Sequence, residues 1–186
     1  MTIYGKTIIM NHNIMLSVHE QFMRLALNEA EQALEAGEFP VGCIIVREKS
    51  VIAKGSRIHS SKIESCNELD HAEIVALRNA SCSLPLIDKH ELTVYSTMEP
   101  CLMCYATLLV SGIEKIVYAY EDAMGGGTNM PLTQLSPLYR DLQVEITPHV
   151  LRRESLHLFQ KFFSKPDCSY LKESYLAQYT LAQSLK

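Results

Sequence analysis

At 186 residues, with 47% apolar and 20% charged side chains, the chain suits one soluble domain with a buried core. Its net charge of −4 excludes a wholly basic nucleic-acid binder. No apolar run approaches the length of a membrane span, and the start, MTIYGKTIIMNHN, lacks the positive region and long apolar core of a signal peptide. The charge is uneven: residues 149–186 hold six Lys/Arg against three acids, and residues 1–148 hold eleven against eighteen. A local basic face near the end of the chain is therefore compatible with the acidic body. The six cysteines (43, 66, 82, 101, 104 and 168) are not needed as disulfides in a chain of this size, which points to a reducing cytoplasm.

In chain order, residues 1–16 read as a weakly patterned leader. The spacing predicts a first helix over Val18–Ala36, with Ser17 and Glu20 as a capping box and Gly37 as the stop. Two strands follow, Val41–Arg47 and Val51–Lys54, then a polar loop over 56–69. A second helix opens at Asp70-His71-Ala72-Glu73 and runs to Asn79. A strand over Leu92–Ser96 leads through Met98-Glu99-Pro100 into a helix from Cys101 to Ser111, closed by Gly112. Next come a strand at Ile116–Tyr120, a long loop over Glu121–Pro137 containing Gly125–Gly127, a strand at Leu142–Ile146 and a helix at Leu151–Phe163. Helix, two strands, then alternating helix and strand define an α/β layered architecture. Residues 164–186 form a tyrosine-bearing helical extension to a domain over 1–163; it packs on the body, on a second copy, or over a pocket.

The chemistry concentrates in two segments. His71 stands two residues before Glu73, and Pro100 immediately precedes Cys101 and Cys104, which are three apart. Two cysteines on the first turn of a helix project to one side, and the helix N-terminus favours their thiolates. With His71 they make a three-ligand set that leaves a zinc ion its fourth position for water. Zinc lowers the pKa of that water to about 7. Glu73, two positions from His71, points elsewhere on the helix and suits a proton carrier between water, ring nitrogen and departing amine. The bland alternatives are buried structural cysteines and a helix-capping role for Asp70 with Glu73. Together the residues spell H-x-E…P-C-x-x-C, an established signature of zinc deaminases, which replace an exocyclic amine by an oxo group and release ammonia.

On these residues the chain resembles the cytidine and deoxycytidylate deaminase superfamily. It looks most like bacterial tRNA-specific adenosine deaminases, with guanine deaminases as near kin. The resemblance covers residues 19–163 and rests on FMRLALNEAEQALEAGEFPVG, HAEIVALRNA, YSTMEPCLMCYATLLVSGIEKIVYAYEDA, VEIT and ESLHLFQKFF. It implies a three-layer α/β/α fold with a five-stranded mixed sheet, assembly as a homodimer, zinc at His71, Cys101 and Cys104, and Glu73 as the catalytic proton carrier. It also implies that backbone near Ala72 holds the base.

Three features depart from that pattern. Gly55-Ser56-Arg57 stands where these relatives carry a base- or sugar-binding asparagine, with Ser56 taken as its counterpart. The polar loop is longer, and Asp70 replaces a small residue, as helix N-cap or as a pocket acid for a substrate amine. Phe39 reads either as a stacking surface or as core. Arg57, Lys62, Arg140, Arg152, Arg153, Lys161 and Lys165 are the basic residues available to RNA. The leading expectation is adenosine-to-inosine conversion in tRNA; the alternatives are a small free base such as guanine, or a zinc-stabilised module without catalysis.

Overall fold

Runs rich in Val and Ile set the centre of the sheet. In the computed structural model, residues 4–60, 67–81 and 91–184 are described, with side chains from residue 18 onward. Lys62, Cys66 and Cys82 lie outside the described residues. Strand β1 (Gly42–Arg47) is buried on both faces and pairs antiparallel with β2 (Ser50–Ser56) and with β3 (Leu92–Met98). β4 (Lys115–Tyr120) runs parallel to β3, and β5 (Glu145–Thr147) parallel to β4, giving one mixed sheet ordered β2-β1-β3-β4-β5.

Helix α1 (Tyr4–Glu35) begins well before the predicted Val18. No glycine or proline interrupts the chain between Lys6 and Ala36, so the helix continues through Ser17, and Ser17 with Glu20 is not a cap. It ends at Gly37, whose φ of +82° suits the left-handed residue beyond a helix end. On one face of the sheet, Met23, Ala26 and Ala30 of α1 pack against Ile44, Val46 and Val117. On the other, α2 (Ala72–Ala80) and α3 (Leu102–Val110) cover Cys43, Ile45, Val94 and Ile116. Helix α5 (Arg152–Phe163) contributes to both clusters. The three-layer α/β/α expectation with a five-stranded mixed sheet describes this arrangement.

Two corrections fall late in the chain. The expected loop over 121–137 contains a 3-10 turn (Leu132–Gln134), and α4 (Pro137–Arg140) follows, with proline pre-set at its first position. Leu142 is used in the turn that closes α4, its amide donating to Tyr139 O at 3.1 Å, so β5 starts at Glu145 and not at Leu142. The extension packs on its own chain through α6 (Tyr175–Ala182), which buries Leu176, Ala177 and Thr180. Thr180 Oγ1 and Tyr120 Oη share a hydrogen bond of 3.0 Å, and Gln160 Nε2 donates to Thr180 O and Gln183 O at 3.1 and 2.8 Å.

Gly55 sets how closely α2 approaches the sheet. A Cβ there would collide with Ala72 O and lie 2.5 Å from the Ala76 amide nitrogen, both backbone atoms that cannot step aside. Gly55→Ala is therefore expected to destabilise the fold by about 1–3 kcal/mol through overpacking. Urea denaturation of the two proteins measures it; an unchanged midpoint would show that α2 can lift without cost.

Candidate active site

The first residues of α2 and α3 meet beyond the carboxyl end of β3, where open α/β sheets usually bind ligands. Neither helix has a side-chain cap. The cap positions are His71 and Cys101, both in extended backbone, which turns the potential ligands out of the helices toward each other. His71 Nδ1 lies 3.6 Å from Cys101 Sγ and 3.4 Å from Cys104 Sγ, and the three donor atoms all fall within 4.8 Å of one another. Tetrahedral zinc with ordinary Zn–N and Zn–S lengths places nitrogen and sulfur ligands about 3.6 Å apart, so the donor set fits that ion.

The electrostatics are those of a metal site. The hydrogen bond between the two thiols, and then the one to His71, pull Cys101 down to about 4 against its burial, while Cys104 is pushed up by the same shared proton and by burial. Burial opposes a charged His71, but the hydrogen bond to Cys101 and the charge of Glu73 outweigh it and raise its value. Glu73 is 3% exposed, and burial raises its carboxyl. The Ser96 hydroxyl donates to Glu73 Oε1 at 3.1 Å, holding the carboxyl from below.

His71, Glu73 and Cys101 line one side of a pocket of about 250 Å³. Ala72 lines it too, fully buried. Its apolar walls are Phe39, Val41, Met98, Leu171 and Leu176, and Arg57, Glu68, Asp122 and Tyr170 supply polar groups. Phe39 is both wall and core, packing against Phe159, Phe162, Phe163 and Tyr170.

Ser56 and Asp70 are not among the pocket residues. In a strand, alternate side chains share a face. Gly55 faces α2, so Arg57 faces α2 as well, and Ser56 turns to the opposite side. Counting two residues on from Gly55, with that alternation, points to Arg57 directly. Asp70 is neither cap nor pocket acid: His71 holds the cap position, and the Asp70 carboxylate accepts from Arg78, from Asn67 Nδ2 at 2.7 Å and pairs with His59 Nδ1 at 3.3 Å. The Arg78 hydrogen bond lowers its pKa, and the group ties the polar loop to α2.

Glu99, which motif reading passes over, anchors the three-glycine loop. Its carboxylate accepts from Asp122 N, Thr128 N and Thr128 Oγ1, and Gly126 has no room for a Cβ against it. The loop is thus a tight turn seated on the start of α3, where Gly127 N donates to Pro100 O at 2.9 Å. No described helix is long and apolar enough to cross a membrane.

The comparisons with known proteins agree with the geometry. The profile of the cytidine and deoxycytidylate deaminase zinc-binding region matches residues 16–120. The tRNA-specific adenosine deaminase of Aquifex aeolicus is 35% identical over 146 residues, covering 78% of this chain and 94% of that protein. The protein of the same name from Bacillus subtilis is 30% identical over 144 residues, 77% of this chain and 88% of that one. A structure solved in a study of tRNA:A34 deaminases that edit A to I at the wobble position superposes with a TM-score of 0.60 and 28% identity, covering 74% of this chain and 98% of that one. The guanine deaminase of Nitrosomonas europaea shares the fold, with a TM-score of 0.61 at 20% identity over 77% of this chain and 83% of that one.

Fold and site together define a zinc-type nucleobase deaminase, a hydrolase. The chain belongs to the cytidine and deoxycytidylate deaminase family.

Removing His71, Cys101 or Cys104 (to Ala, Ser and Ser) is expected to reduce bound zinc to well below one ion per chain, read by metal analysis of purified protein. Because thiol and imidazole protons compete with the metal, zinc retention should also fall as pH falls. Stoichiometric zinc in any one variant would remove that residue from the ligand set.

Proposed function

We propose that this chain is a zinc-loaded deaminase that hydrolyses an exocyclic amine from a nucleobase, with His71, Cys101 and Cys104 as ligands and Glu73 as proton carrier. The observation that carries this reading is the buried Glu73 carboxyl facing the same pocket as the three-ligand cluster. Zinc bound there would activate a water for attack at neutral pH. Glu73, raised by burial and oriented by Ser96, would take the water's proton and pass it to the ring nitrogen, then move the proton of the added hydroxyl to the departing amine. Ala72 lines the pocket, and its backbone would hold an edge of the base. Ammonia and the oxo base are the products.

Adenosine in tRNA is the substrate supported by the relatives at 30–35% identity. A small free base such as guanine is the second reading, favoured by one observation: Tyr170, Leu171 and Leu176 of the C-terminal segment form part of the pocket wall. We assign residues 1–163 to the deaminase domain and 164–186 to an extension of it. A homodimer is supported by Leu102 and Val110, 53% and 63% exposed on one stripe of α3 with the exposed Ala106 between them. A cytoplasmic location is supported by the thiolate ligands, which need a reducing setting.

Ammonia release by the zinc-loaded protein, from an adenosine-34 anticodon stem-loop and from free bases, tests the reading. Glu73→Gln is expected to lower turnover by at least about a thousandfold while zinc content stays unchanged. Retained turnover in that variant would reject the mechanism, and silence of wild type on every substrate would favour a non-catalytic module. The same variant reports on stability. Burial raises the folded-state pKa of Glu73 above its ordinary 4.5, so the stability it contributes is present at low pH and lost as pH rises through the folded value. In chelated, zinc-free protein the melting temperature of Glu73→Gln should therefore gain on wild type as pH rises above 4.5. A gap that stays constant with pH would show that the buried carboxyl does not titrate abnormally.

A further inference from the structure

Arg57 is the most unusual group in the pocket that the deaminase chemistry does not use. It is 2% exposed, yet its salt-bridge partner Glu68 has a side chain 59% exposed. Its Nη2 donates to Glu68 Oε2 at 3.0 Å and to Tyr170 Oη at 3.2 Å, and Tyr170 Oη donates in turn to Glu68 Oε2 at 2.9 Å. The guanidinium carbon lies 5.7 Å from the centre of the Tyr170 ring. Nη2 is therefore held from the polar loop and from the C-terminal segment at once. Nε and Nη1 are buried with no hydrogen-bond partner among the described residues. Leaving buried charged donors unmet is costly, and native proteins rarely tolerate it without a ligand or water to complete the set.

We propose that Arg57 is the specificity residue of this pocket: its unpartnered N–H groups read an oxygen acceptor on a small amino-substituted heterocycle, which the 170–176 segment encloses. The inference rests on the deaminase reading and takes its small-base branch. The pocket volume of about 250 Å³ lies below the range usual for drug-sized ligands, and its walls at Phe39, Val41, Met98, Leu171 and Leu176 are apolar, as suits a flat ring. A plain adenine ring carries no oxygen for the guanidinium. A ring bearing an oxo or carboxylate group beside its amine does, and would satisfy what the protein leaves open.

Matched pairs of free heterocycles that keep the amine and differ in the oxo group isolate the effect: isoguanine against adenine, guanine against 2-aminopurine, cytosine against 4-aminopyrimidine. Ammonia release and calorimetric binding are measured with the full zinc-loaded chain. In at least one pair the oxo-bearing member is expected to be preferred by about a hundredfold or more, since a site built to hydrogen-bond a group rejects the analogue lacking it. Arg57→Gln should collapse that preference to within about tenfold, chiefly through KM, and Arg57→Lys should keep part of it. Pairs that wild type cannot distinguish, or a preference untouched in Arg57→Gln, would overturn the proposal. So would deamination of the stem-loop with no free heterocycle bound, an outcome that leaves the deaminase reading standing. The converse, preferential binding lost in Arg57→Gln with no ammonia from any substrate, would keep the role of Arg57 and reject the deaminase reading. Should Arg57→Gln fail to fold, judged by melting and zinc content, the wild-type pairs alone decide.

Discussion

The contact of backbone on backbone between β2 and α2 is the constraint on which the site depends. At Gly55 the strand lies so close to the first turns of α2 that no side chain fits between them. That closeness sets the height of α2 above the sheet, and with it His71 at the helix start and Glu73 within the first turn. Strand alternation then aims Arg57, two residues on, at the same helix start. From the neighbouring strand, Ser96 reaches Glu73, and the chain continues through Met98, Glu99 and Pro100 to Cys101. Two helix N-termini and one strand end are thereby brought to a common point, with no side-chain cap at His71 or Cys101 to compete for the ligand atoms.

The same frame sorts the carboxylates into distinct roles. Glu73 is buried beside one hydroxyl donor, so desolvation dominates and the acid holds its proton more tightly than usual. Glu99, buried and two residues before Cys101, meets the Asp122 and Thr128 amides and the Thr128 hydroxyl, which make it a brace for the glycine loop. Asp70 is one residue from His71, yet Arg78 draws it down and away into a clamp on the polar loop. Proximity in sequence does not assign chemistry; the number and charge of the donors each acid meets does.

That distinction explains what could be read without coordinates. The metal set was legible because its spacing is local: the proline, the two cysteines three apart and the histidine–glutamate pair each lie within a few residues, and helix geometry does the rest. The layered fold was legible from the alternation of strand and helix patterns. Ser56 was a misreading of a short-range count, since period-two geometry and the Gly55 contact give the place to Arg57. The early start of α1 was hidden by an apparent cap at Ser17, where an uninterrupted run of helix-compatible residues outweighs a local motif. The Arg57–Glu68–Tyr170 triangle was not legible at all, because its members are separated by up to 113 residues and no local pattern pairs them.

That triangle bears on how reaction and substrate part company within a family. The matched family region ends at residue 120 and contains every group assigned to the metal and to proton transfer. Tyr170, Leu171 and Leu176, which close the pocket, come from chain that lies beyond it. α6 is held there by its own core contacts at Leu176 and Ala177 and by the Tyr120–Thr180 hydrogen bond, so the wall is built into the fold of this chain. A metal and an acid decide that an amine leaves; the surfaces that touch the rest of the ring decide which amine is presented. A shared catalytic half therefore carries the deamination chemistry across relatives, while a wall contributed from beyond it, set against a guanidinium buried within it at Arg57, is free to select a different ring.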